Sequence, residues 1–184
     1  MDWTTYQNLF KTILDNPTGD YLDDHIYQYT KMNEVRTNRW LRKFELDEDT
    51  LGVLNNINTP QNWELITEPW CGDAAHITPI IYKMASSSDK IGLNIQLRDT
   101  DSEIEKYLTN GSKSIPILIV RKDDGTEMFH WGPRPSGAAA LFQQLKSENV
   151  EFEVIKEELQ KWYNANKGKE IEKEISQLLQ QYNI

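Results

Sequence analysis

Apolar residues return at three- and four-residue spacing through the first third of the chain, the period of a helix with one buried face. Tyr6, Leu9, Phe10, Ile13 and Leu14 form one such series, and Tyr21, Leu22 and Ile26 follow it after the turn Asn16-Pro17-Thr18-Gly19. A further helical stretch carries Met32, Val35, Arg36, Arg39, Trp40 and Phe44, and "LDEDTLGVLNNI" reads as a short helix entered through an acidic first turn. No strand signature is present up to about residue 58.

The pattern then changes. Trp63, Leu65 and Ile66 in "NWELITEPW" make a short strand that ends at Pro69. Gly72 to Ala85 reads as a helix with Pro79 inside it, and Ile91, Leu93, Ile95 and Leu97 alternate as a strand. "TDSEIEKYLTNG" predicts a short helix capped by Thr or Asp and closed by Gly111. "SIPILIVRK", the turn "DDG" and "TEMFHWG" predict a hairpin, and the unbroken apolar run Ile115 to Val120 makes its first strand a central one. From Ser136 the chain reads helical almost to the end, with Leu141, Phe142 and Leu145, then Phe152, Val154, Ile155, Leu159 and Trp162. Ile171, Ile175, Leu178 and Leu179 form a last amphipathic piece.

Strand, helix, strand, helix, strand, strand, helix is the order of an α/β fold, a mixed central sheet sandwiched by helices. The expected organisation is a helical N-terminal extension over 1–58, an α/β core over 59–149 and a C-terminal helical extension over 150–184. This order puts Cys71 where a strand ends and a helix begins, the position at which ligands collect in open α/β sheets.

Composition narrows the function. At 184 residues and 38% hydrophobic content the chain suits one domain with additions. A net charge of −9, from 29 acidic against 20 basic residues, repels phosphate backbones and anionic lipid, so neither nucleic acid nor a membrane is an expected partner. No signal-like start and no long apolar run is present, and a cytoplasmic protein is expected. One cysteine excludes an intramolecular disulfide; His25, His76 and His130 are scattered without metal-ligand spacing, and the glycines are isolated. No metal or other cofactor is implied.

A cysteine in the first turn of a helix faces unpaired N–H groups and the positive end of the helix dipole, which favour thiolate over thiol. Three anchors surround this one: Trp70-Cys71-Gly72 with Pro79 in the following helix, Ile115-Pro116, and Gly132 after the hairpin. Together they resemble the thioredoxin fold over about residues 60–149. "WCGDAA", "LRD" and "WGPRP" are similar to a bacterial group of thioredoxin-family proteins with a helical N-terminal extension. The resemblance implies that Pro116 is cis beside the reactive sulfur and that the backbone of Ile115 pairs with an extended substrate. It also implies that Arg134 stands at the site rim and that Trp131 supplies a flat wall.

The departures matter as much. Ala74 stands where a dithiol thioredoxin has its resolving cysteine, and Leu65 where such proteins have a buried acid. Asp73 replaces the usual proline; it serves as a first-turn acid or as a general acid, and its charge opposes a neighbouring thiolate. Arg36, Arg39 and Lys43 share one helix face, either solvated and ion-paired or an anion-binding wall for a carboxylate-bearing thiol.

Two functions are compatible with these residues. In the first, Cys71 is the nucleophile of a monothiol protein that attacks protein disulfides or low-molecular-weight thiol mixed disulfides, with an external thiol resolving the product. Trp70, Gly72, Asp73, Ile115, Pro116, Trp131 and Arg134 would frame the substrate. In the second, the redox motif is degenerate and the chain is a non-catalytic, protein-binding module of thioredoxin fold, with Cys71 a structural thiol. Nothing points to a peroxide-polarising site.

Overall fold

The computed structural model describes residues 1–182. Helices α1 (Trp3–Asp15), α2 (Asp24–Lys43) and α3 (Glu48–Asn55) come first, followed by β1 (Gln61–Thr67), α4 (Gly72–Ser86) and β2 (Ile91–Leu97). Then come β3 (Ile117–Lys122), β4 (Glu127–Trp131), α5 (Ser136–Ser147), α6 (Phe152–Asn166) and α7 (Lys169–Gln181). Each of the first three helices starts on an aspartate whose carboxylate accepts an orphan amide: Asp2 from Thr5, Asp23 from Ile26, Asp47 from Thr50. Such caps are worth about 1 kcal/mol each.

The four strands lie in the order β2-β1-β3-β4, with β1 and β2 parallel and the other two pairings antiparallel. The continuous apolar runs therefore occupy the two central strands. Alternation divides them between two cores. Trp63, Leu65, Leu118 and Val120 face a large cluster built with α1, α4, α6 and α7. Ile66, Ile117 and Ile119 face a small one, which also holds Cys71 and Ile115. The fold is the mixed α/β architecture that the element order implies.

One predicted helix is absent. Between Thr100 and Gly111 there is only a 3₁₀ turn, Ile104–Lys106, followed by left-handed Asn110 and Gly111. Side chains three apart eclipse in a 3₁₀ turn, so Ile104 and Tyr107 both reach the small core, while Glu103 is drawn to Arg121 at 3.0 Å. Those tertiary contacts outweigh a weak helical tendency in so short a segment.

Two loops meet under α4. Ile115-Pro116 and Gly132-Pro133 are both cis. Gly132 has φ +126°, and a Cβ there would lie 2.3 Å from the Pro116 carbonyl oxygen, so only glycine lets these loops touch.

Candidate functional site

Cys71 caps the N-terminus of α4 in an extended conformation. Its thiol donates to the Ile115 carbonyl at 3.5 Å, and the residue is 8% exposed. The amides of Ala74 and Asp73 face the sulfur, as a helix start requires, and Arg134 adds positive charge. Burial first, and then the Asp73 carboxylate, outweigh all three and push the thiol up to about 12. The helix terminus by itself favours a thiolate; in its folded setting Cys71 is a neutral thiol at neutral pH.

Asp73 is held from two sides. The Tyr163 hydroxyl donates to one carboxylate oxygen at 2.8 Å, and the Arg134 guanidinium pairs with the other at 2.6 Å while lying 4.2 Å from the Phe142 ring. One turn further on, Trp40 donates its indole N–H to His76 Nδ1 at 2.9 Å. Since Trp is a donor only, the ring proton sits on Nε2 and goes to Gln160 at 3.0 Å. The imidazole stacks on Tyr163 with centroids 4.4 Å apart, and burial pushes it down to about 3. A neutral histidine thus fastens α2, α4 and α6 together.

Above Cys71 these helices leave a cavity of about 780 Å³. From α2 come His25, Tyr29, Met32 and Arg36, at four-, three- and four-residue spacing. From α6 come Phe152, Lys156, Gln160 and Tyr163, at four, four and three. Trp70 adds a further wall, with the Arg98 guanidinium 4.6 Å from its ring. Across the mouth, Tyr29 donates to Glu153 at 3.1 Å, and the Lys156 ammonium lies 4.2 Å from the Tyr29 ring.

Of the residues singled out in the sequence, Trp70, Cys71, Gly72, Asp73, Ile115 and Arg134 come together around this cleft. Pro116 is buried beneath it. Trp131 does not reach it: this residue pairs with Leu118, so both face the large core, and its indole N–H goes to Glu174 at 2.8 Å. The basic face of α2 also divides. Arg36 enters the cleft, whereas Arg39, bonded to Asn164 at 2.7 Å, and Lys43 line a separate hollow beside α3 and α7. Seven residues carry Lys43 about 10 Å along the helix axis, past the cleft.

Sequence reasoning missed Tyr29, Phe142, Phe152, Lys156 and Arg98 as cleft residues, and it missed Glu68. Leu65, at the position of the expected buried acid, is fully enclosed; a buried carboxyl stands three residues on, at Glu68, which accepts the Asp99 amide at 2.9 Å and is pushed up by burial. The helical spacing of 25, 29, 32, 36 and of 152, 156, 160, 163 was present as a signal, but nothing local says that the two series face each other. Among the described residues no cluster of metal-ligating side chains occurs, and no helix is long and apolar enough to cross a membrane.

A fold with a cysteine at the first turn of α4 beside a cis-proline loop defines a thioredoxin-like protein. The family model described as thioredoxin matches residues 19–146, and the chain belongs to that family. The match begins before α2, so it takes in α2 and α3 as well as the sheet. No curated protein matches the chain. Among solved structures it is similar to a protein of unknown function from Pseudomonas aeruginosa, at 11% identity and TM-score 0.55, with 98% of each chain covered. It is also similar to an HIV epitope scaffold, at 12% identity and TM-score 0.54, again over 98% of each chain. These two likenesses concern the fold.

Proposed function

We propose that this chain is a thioredoxin-fold binding module whose ligand site is the cleft over Cys71, and that Cys71 contributes a neutral S–H group there rather than a resting nucleophile. The observation that carries this reading is the state of the sulfur: buried, donating to Ile115 O, opposed by Asp73 and pushed up to about 12. A thiolate is the attacking species in disulfide exchange, and at pH 7 such a thiol is almost entirely protonated. Ala74 leaves no second thiol to resolve a mixed disulfide. The cleft, in contrast, has what a binding site needs: concavity, aromatic walls and a few convergent polar groups.

The test is reaction of the native protein with an aromatic disulfide reagent as pH is raised. Release of the coloured thiol is expected to be negligible at pH 7 and to climb only toward the alkaline range. Rapid release at pH 7, lost in Cys71→Ser, would overturn the reading and restore monothiol exchange. That second function is favoured by one feature, the Asp73 and Ala74 amides aimed at the sulfur, which would stabilise a thiolate once the Asp73 charge is removed or covered.

A further inference from the structure

We propose that the cleft takes a small amphipathic monocarboxylate, its carboxylate on the Arg36 guanidinium and its apolar body against the aromatic walls; the proposal rests on the binding-module reading above. Arg36 is the reason. It is half-buried in the cleft wall, and its hydrogen bond is from Nη1 to Asn33 Oδ1 at 3.0 Å. Among the described residues it forms no ion pair. Burial holds the guanidinium below its ordinary range, the mark of a cation that has lost water without gaining a counter-ion. Asn33 fixes its position: this buried amide donates to the Pro69 carbonyl at 3.0 Å, tying α2 to the junction that carries Cys71.

The other cations around the cleft are compensated. Arg134 pairs with Asp73, Lys156 with Glu153, Arg98 with Asp99 and Lys113 with Glu105. Cys71 and His76 are neutral donors. The remaining cleft carboxylate, Glu157, is exposed at the rim, where water screens it. Arg36 is therefore the cleft cation left without an ion-pair partner among the described residues, which suits a monocarboxylate and leaves a phosphate dianion half compensated. The buried Arg134 Nε has no acceptor among the described residues, and it adds to the surplus of donors.

Size and closure favour a small molecule over a peptide strand. The cavity volume of about 780 Å³ falls in the range of small-ligand pockets. The Ile115 carbonyl, an edge group on which an added strand would pair, already accepts from Cys71, and the Tyr29–Glu153 contact bridges the mouth. Tyr29, Trp70, Phe142, Phe152 and Tyr163 give the apolar body flat surfaces to lie on.

Isothermal titration of the full chain with 4-phenylbutyrate, 4-phenylbutan-1-ol and 4-phenylbutylamine tests this, because the three share a body and differ in charge. The carboxylate is expected to bind best, and Arg36→Met is expected to weaken it by about tenfold to a hundredfold while weakening the alcohol much less. Arg36→Lys keeps the charge and should retain the preference for carboxylate over alcohol, which separates lost recognition from lost folding. Equal binding of alcohol and carboxylate, or stronger binding of the amine, would overturn the charge assignment and leave the cleft itself standing as a binding site. Binding of none of the three, with a folded protein, would overturn the proposal and count against the cleft reading as well.

Discussion

Helix α2 borders two hollows, and the larger is the poorer site. The hollow beside α3 and α7, about 1330 Å³, mixes Arg39, Lys43 and Lys173 with Asp47, Glu48 and Glu172, so both signs are interleaved along its walls. The cleft over Cys71 is smaller, but it has aromatic walls, a floor fixed by two touching loops, and one half-buried guanidinium without an anion. Volume measures where helices fail to meet; compensation of charge shows where something else is to be bound. One carboxylate in each hollow makes the same point. Asp73 in the cleft floor is held by Arg134 and Tyr163, whereas Glu172 in the other hollow takes the Asp47 amide at 2.7 Å and is pushed up by burial.

The largest expected effect strikes the cleft floor. Gly132→Ala would drive a methyl into the Pro116 carbonyl at a backbone angle that alanine disfavours, and a loss of about 3 kcal/mol in urea denaturation is expected. A loss below about 1 kcal/mol would mean that the floor yields, and the contrast between the hollows would weaken.

Next, Asp73→Asn removes the charge that holds Arg134, at a cost of about 2 kcal/mol, while Glu172→Gln, which breaks no ion pair, is expected to cost less. The same Asp73 variant takes away one of the two causes that raise the Cys71 thiol, so its alkylation midpoint should fall below the wild-type value of about 12. If the midpoint does not move, burial alone sets the sulfur.

The pH response comes third. His76 is pushed down to about 3 from an ordinary 6.5, so the unfolded chain takes its proton first. Its contribution to stability is present above pH 6.5 and is lost as pH falls toward 3, with a limiting slope of about 1.4 kcal/mol per pH unit. His76→Gln should flatten that slope in denaturation profiles. Cys71 acts at the other end: raised from 9 to about 12, it favours the folded state less and less as pH climbs through that interval, and Cys71→Ala should remove this loss.

The smallest effects belong to the other hollow. Arg39→Met is expected to leave phenylbutyrate affinity unchanged, since Arg39 faces Asn164 and not the cleft. Gly52→Ala, on α3 with open space around the would-be methyl, is expected to raise stability by about 0.5–1 kcal/mol, the opposite sign from Gly132→Ala.

Much of the fold was legible residue by residue. The 3.6-residue recurrence of Tyr6, Phe10 and Ile13 and the alternation of Ile91 to Leu97 depend on local geometry, and the corresponding elements formed. Trp70-Cys71-Gly72, Ile115-Pro116 and Gly132 were legible through the thioredoxin resemblance, and the fold brings them together beneath the cleft. Trp131 and the predicted helix after Thr100 were misread because the face of a strand and the survival of a short helix are decided by what packs against them.

By itself, then, the amino-acid sequence determined the helices and strands apart from the helix expected after Thr100, the cysteine at a helix start, the absence of a resolving thiol and the prolines and glycine of the loops beneath it. Tertiary structure alone decided that α2 and α6, more than a hundred residues apart in the chain, stand on either side of Cys71, that Asp73 and burial keep the sulfur protonated, and that Arg36 is left uncompensated. The reason is physical. Periodicity and turns are written in neighbouring residues, whereas burial and charge compensation are sums over every group that folding brings near, and no local stretch contains them.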